Sequence, residues 1–155
     1  METSDVDAHN WEKEIAKSSI LTVVYFWHEQ CPWCLRFTPI LEEVAREFEG
    51  RVKFTKLNTL ADPLNKEIAE NFGIMSTPTL LFLCRGRPVG QVVGLQPKED
   101  LERGLKDILA RYMTCLTQST DLRPAYVVWN QYFARYQWGV RLRARFIVLY
   151  EKVYT

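Results

Sequence analysis

Apolar positions along this chain fall into blocks whose spacing changes from one stretch to the next. Ile20 to Trp27 is β-branched and aromatic almost throughout, as in a strand buried on both faces. Phe37, Leu41, Val44, Ala45 and Phe48 then recur at helical spacing between Leu35 and Phe48. Pro39 removes one backbone hydrogen bond from that pattern and predicts a kink, and Gly50 ends it. Val52 to Asn58 reads as a second strand, alternating imperfectly. Asp62-Pro63 supplies a cap and a first-turn proline for a helix running to Asn71, with Gly73 behind it. Leu80–Cys84 and Val89–Val93, joined by Arg85-Gly86-Arg87-Pro88, predict a hairpin. Pro97 opens a last amphipathic helix with Leu101, Leu105, Ile108, Leu109 and Tyr112 on one face. Ahead of these, Asn10 or Asp7 is expected to cap a short helix through Trp11, Ile15 and Ala16 that ends near Ser18-Ser19. The order α-β-α-β-α-β-β-α predicts an α/β fold. A parallel pair lies at its centre, the hairpin adds antiparallel edges, and helices cover both faces.

Composition divides the chain in two. At 155 residues there is room for one domain with a real core plus an appendage. The formal net charge of +1 makes no case for a nucleic-acid partner. Residues 1–110 carry 13 Lys/Arg against 17 Asp/Glu, whereas residues 111–155 carry 7 against 2 and hold half of the aromatics. We therefore expect a domain over residues 1–112 and a basic, aromatic extension over 113–155. In the extension Ala125, Val128, Trp129, Tyr132, Phe133 and Tyr136 form a helical stripe, and Val140 to Phe146 alternates as an exposed strand would. Such a segment suits docking on the body or self-association first, a membrane surface second and nucleic acid last. The acidic start, Met1 to His9, lacks the basic and apolar regions of a signal peptide, and Ile20 to Trp27 is too short to span a bilayer, so the expected location is cytoplasmic.

Chemistry concentrates between the first strand and the helix that follows. Four cysteines are too sparse for a disulfide scaffold, and the one close pair is Cys31-Pro32-Trp33-Cys34. Cys31 falls at the helix N-cap, where unpaired N–H groups and the helix dipole favour a thiolate, the form that attacks disulfides. Pro32 suits the first turn. The same spacing serves as half of a zinc or iron–sulfur site, which needs further ligands. Cys84, Cys115, His9 and His28 form no second close pair, which leaves a cluster shared between two chains as the metal alternative. Cys84 reads as a packing residue and Cys115 as a helix-end residue.

With these elements in place the chain closely resembles the thioredoxin family over roughly residues 9 to 110. The match rests on Phe26-Trp27 ending the strand, the Cys-x-x-Cys, Pro39, Lys56-Leu57-Asn58, Thr77-Pro78-Thr79, the Arg85-Gly86 hairpin and Gly94. The resemblance implies a thioredoxin-like fold with a central mixed sheet of about four strands and helices on both faces. It implies that Cys31 is the exposed nucleophile and Cys34 the resolving thiol of a protein-disulfide reductase. The redox-active disulfide then takes the place of a cofactor, and a reductase regenerates the dithiol. It also implies a cis Thr77–Pro78 bond facing the cysteines. Trp27, Pro32, Trp33, Thr77, Pro78 and Gly94 would form the surface on which disulfide-containing proteins dock.

Four departures stand against that pattern. Tyr25 occupies the place of a usual buried aspartate, and a phenol with a pKa near 10 is a poor base at neutral pH. Proton transfer then falls to water, His28 or Glu29, and Lys56 is left to reach solvent or Glu29. The dipeptide Pro32-Trp33 is closer to a glutaredoxin-like pattern than to Gly-Pro. Gln30 and Leu35 flank the cysteines where a tryptophan and a basic residue are usual. Met1 to Asp7, with Val6 its one aliphatic residue after Met1, predicts a first strand that is weak or absent. The competing reading is a binding module of the same fold, whose Cys-x-x-Cys holds a metal or iron–sulfur cluster or docks a partner, with the tail as interaction element.

Overall fold

A computed structural model describes residues 3–111. The expected 113–155 appendage, with its helical stripe and alternating segment, lies outside the described residues. Elements run β1 (Ser4–Asp5), a π-helical segment (Glu12–Ala16), β2 (Leu21–Trp27), α1 (Pro32–Glu47), β3 (Val52–Asn58), α2 (Pro63–Asn71), β4 (Thr79–Cys84), β5 (Arg87–Val93) and α3 (Lys98–Arg111). The sheet order is β1-β3-β2-β4-β5. β2 pairs parallel with β3 and antiparallel with β4, so the expected parallel centre with an antiparallel hairpin edge is present.

The sheet has five strands rather than about four, because Ser4 and Asp5 pair with Thr55 and Lys56 at its β3 edge. That strand is as weak as Met1–Asp7 promised, two residues long, but Val6 behind it is fully packed in the core. The first helix also differs from expectation. It is a π-helical segment with no side-chain cap, since Asp7 and Asn10 bond each other's backbone instead: Asp7 N–H donates to Asn10 Oδ1 at 2.8 Å and Asn10 N–H to Asp7 Oδ1 at 3.0 Å. α2 starts as its sequence demands. Asp62 accepts from the Leu64 N–H at 2.7 Å, and Pro63 takes the first turn.

Period-two alternation on β2 and β4 divides the apolar residues between two cores. Val23, Tyr25, Leu80 and Phe82 face α1 and α3, whose Phe37, Leu41, Val44, Leu101, Leu105 and Ile108 close over them. Val24, Phe26, Leu81 and Leu83 face the other way, toward Ile15 of the π-helical segment and Ala69 of α2. The two long helices are held together at their solvent side by Lys98, which contacts Glu43 at 2.8 Å and Glu47 at 2.6 Å. In the β4–β5 turn Arg85 and Gly86 both have positive φ (51° and 76°), the pair of conformations a tight two-residue hairpin requires. Pro88 fits in β5 because that strand lies at the sheet edge. No helix among the described residues is long and apolar enough to cross a membrane.

Candidate active site

β2 ends at Trp27, between β3 and β4, and delivers His28-Glu29-Gln30 directly into the start of α1. Cys31 is the N-cap of that helix, in an extended conformation, with Pro32 in the first turn. Its sulfur accepts the Cys34 N–H at 3.1 Å, one of the donors that a helix start leaves unpaired. The first turn carries no acidic residue to oppose a negative sulfur. Cys31 and Cys34 are joined as a disulfide with Cα atoms 5.2 Å apart. The two sulfurs differ in accessibility even in this oxidised form: Cys31 is 5 % exposed and Cys34 not at all. Such geometry supports reversible thiol–disulfide exchange, with the outer sulfur reachable and the inner one held against it.

The surroundings divide into an apolar rim and a polar floor. Trp33 (57 % exposed) and Leu35 (62 %), on either side of Cys34 in the chain, present large apolar side chains to solvent, as does Met75 (82 %) two residues before Thr77. The Arg36 guanidinium lies over the Trp33 ring, 5.4 Å from its centroid. Across the sheet end, the Thr77–Pro78 peptide is cis, with Thr77 half-buried and Pro78 buried. The Pro78 carbonyl accepts the Gly94 N–H at 2.8 Å. Gly94 adopts φ +86°, which only glycine takes without strain, and a Cβ there would meet nothing within 4 Å. It therefore leaves open space beside Pro78.

Beneath the cysteines the Tyr25 hydroxyl donates to the Cys34 carbonyl at 3.0 Å, and Thr38 donates to the same oxygen at 2.8 Å. Burial pushes the Tyr25 phenol above its ordinary value, partly opposed by the hydrogen bond with Thr38. The ring is gripped edge-on by Phe37, with centroids 5.8 Å apart.

The expected proton-handling residues are not brought together. Glu29 reaches away to Asn58, whose Nδ2 donates to Glu29 Oε1 at 2.5 Å. Lys56 does not meet Glu29; it lies beside Tyr25 in register and approaches Asp5 at 3.9 Å. The nitrogen left over is His28 Nδ1, buried without a hydrogen-bond partner, as is Trp27 Nε1. Sequence reasoning missed Thr38 and Asn58. Thr38 was detectable: a threonine four residues after Cys34 can bond back to its carbonyl. Asn58 is visible in the sequence within Lys56-Leu57-Asn58, but nothing there points to Glu29. Among the described residues no group of three or more His, Cys, Asp or Glu side chains is arranged to hold a metal ion.

A parallel–antiparallel sheet whose central strand feeds a Cys-x-x-Cys onto a helix cap defines a thiol–disulfide oxidoreductase. The chain belongs to the thioredoxin family, whose sequence model matches residues 2–107. It is 45 % identical over 87 residues to the thioredoxin of Alicyclobacillus acidocaldarius, covering 56 % of this chain and 80 % of that protein. It is 33 % identical over 103 residues to thioredoxin 1 of Nostoc sp., covering 66 % and 94 %. With the thioredoxin of Rickettsia bellii the identity is 37 % over 98 residues, covering 63 % and 90 %.

Proposed function

We propose that this chain reduces protein disulfides by dithiol exchange, with Cys31 as nucleophile and Cys34 as resolving thiol. The observation that carries the assignment is the position of Cys31 at the α1 cap, its sulfur bonded to the Cys34 N–H and linked to Cys34. Cys31 thiolate attacks a substrate disulfide, forming a mixed disulfide and releasing one substrate thiolate. Cys34 then attacks the Cys31 sulfur, the second substrate sulfur leaves, and the Cys31–Cys34 disulfide remains. A reductase restores the dithiol with two electrons. The extended substrate segment docks over Trp27, Pro32, Trp33, Thr77, Pro78 and Gly94, the apolar rim giving area and the space above Gly94 giving close approach. The protein's part in the exchange is carried by its own two thiols, and we assign no cofactor to the cycle.

We assign the chemistry to a domain over residues 1–112 and treat 113–155 as an attachment that self-associates or meets a membrane surface. We place the protein in the cytoplasm, where a lone close pair of thiols stays reduced and available. Insulin disulfide reduction by the full chain tests the proposal. Cys31→Ser abolishes it and Cys34→Ser reduces it to the level of single-thiol exchange, whereas full activity in Cys31→Ser would refute the assignment. A chain truncated after Arg111 retains the wild-type rate; collapse of activity in a folded truncation would refute the domain division.

A further inference from the structure

Behind Cys34 the described residues supply hydroxyl groups and no carboxylate. Tyr25 on β2, 1 % exposed, and Thr38 on α1 both donate to the Cys34 carbonyl, and their own oxygens lie 3.2 Å apart. They brace the helix where it is least able to hold itself, because Pro39 has no N–H to offer the carbonyl one residue further on, that of Leu35. Among the described residues the other titratable groups near this point, His28 apart, are engaged elsewhere. Lys56 on β3 turns toward Asp5, and Glu29 in the preceding loop is held by Asn58. β4 brings Thr79 and Leu80 opposite Phe26 and Tyr25 and contributes no acid or base over Thr79–Leu83. Among the described residues Asp100 is the buried carboxylate, and it sits on α3 in an ion pair with Arg103. His28 Nδ1 is the remaining candidate acceptor on the loop before Cys31.

We propose that Tyr25 and Thr38 are positioning residues for the resolving half of the exchange, and that the Cys34 proton leaves to solvent rather than to an internal base. The proposal rests on the roles of Cys31 and Cys34 given above. In the mixed disulfide, two hydroxyl bonds hold the Cys34 carbonyl, and through it the turn that aims the Cys34 sulfur at Cys31. Cys34 S–H gives its proton to water or buffer. Its thiolate forms the Cys34–Cys31 bond as the bond from Cys31 to the substrate sulfur breaks. The departing thiolate is protonated from solvent. Two electrons pass to the substrate disulfide, and the protein dithiol is oxidised. Tyr25, kept protonated by burial, stays a donor throughout.

The test is a two-phase release of thiolate from 5,5′-dithiobis(2-nitrobenzoic acid) by the fully reduced protein. The first release is bimolecular and, taken as the part missing from Cys31→Ser, reports attack by Cys31 apart from Cys84 and Cys115. The second is independent of reagent concentration and reports resolution by Cys34. Tyr25→Phe keeps the ring and its contact with Phe37, and slows the second phase about fivefold, the value of one buried hydrogen bond, with the first unchanged. Thr38→Val acts in the same direction, and Thr38→Ser restores the wild-type rate. Equal slowing of both phases, or an unchanged second phase in both Tyr25→Phe and Thr38→Val, would overturn the positioning role. In the wild type the second phase quickens with buffer concentration at fixed pH, as proton transfer to solvent requires. A second phase slowed alone in His28→Asn would overturn the solvent route and assign the proton to His28. Loss of the first release would count against Cys31 itself, a different failure from any of these.

Discussion

Leu80 and Leu81 are neighbours of equal size on β4, both fully buried, yet they serve different halves of the molecule. Leu80 stands opposite Tyr25 and belongs to the core beneath α1 and α3. Leu81 stands opposite Val24 and belongs to the core beneath the π-helical segment and α2. The first face is roofed by helices of 16 and 14 residues and carries the cysteines with their hydroxyl floor. The second is roofed by a five-residue segment and a nine-residue helix, and the cysteines are absent from its core. Burial is the same on both faces, so stability alone cannot tell them apart. What distinguishes them is which side chains transmit their position to Cys34.

The sharpest way to break that comparison is to cut the same atoms from each side. Leu80→Ala and Leu81→Ala should each destabilise the fold by about 2–5 kcal/mol in denaturant unfolding. Only Leu80→Ala should also shift the Cys31–Cys34 reduction potential, measured at a temperature where both variants are folded. A matching shift in Leu81→Ala would dissolve the distinction between faces.

A middle-sized effect comes from Tyr25. Its phenol ionises near 10.0 in the unfolded chain and at higher pH in the fold, where burial opposes the phenolate. The stability it contributes is complete below pH 10 and is lost as pH rises from there toward the folded value, at no more than about 1.4 kcal/mol per pH unit. Urea unfolding at pH 9 and pH 11 should show this decline, and Tyr25→Phe should flatten it. A Tyr25→Phe protein that declines as steeply as wild type would contradict the assignment.

The smallest effect is expected at Lys98, whose hydrogen bonds to the Glu43 and Glu47 carboxylates raise the ammonium above its ordinary 10.5. The group is solvent-screened, so Lys98→Met should lower Tm by roughly a few degrees at most, and by less at high salt. Insulin reduction should be unchanged. A large loss of activity would mean that the α1–α3 contact reaches the site.

Elements written in strong local signals are legible in the sequence. β2 is a continuous apolar run, Asp62-Pro63 announces α2, and Arg85-Gly86 announces the hairpin; each appears where expected. The N-terminal tenth was read less well because its structure is made by partners distant in sequence. Ser4 and Asp5 become a strand only through β3, and Asp7 and Asn10 satisfy one another rather than a helix end. At the site, Cys31 on its cap followed from spacing, since a cap is a local event. Glu29 could not be placed that way: its partner Asn58 is 29 residues away, and a carboxylate two residues before Cys31 in sequence is held by β3 instead of by the cysteines. The hydroxyl floor needed two distant residues, Tyr25 and Thr38, to meet on one carbonyl oxygen.

The central claim is that Cys31 attacks and Cys34 resolves, and trapping tests it most directly. Cys34→Ser protein, reduced and mixed with a disulfide-bonded peptide, is digested and read by mass spectrometry. The account predicts a stable mixed disulfide at Cys31, absent from wild type, where Cys34 clears it, and absent from Cys31→Ser. A Cys34→Ser protein that forms no adduct at Cys31, or a Cys31→Ser protein that forms the same adduct through Cys34, would contradict it.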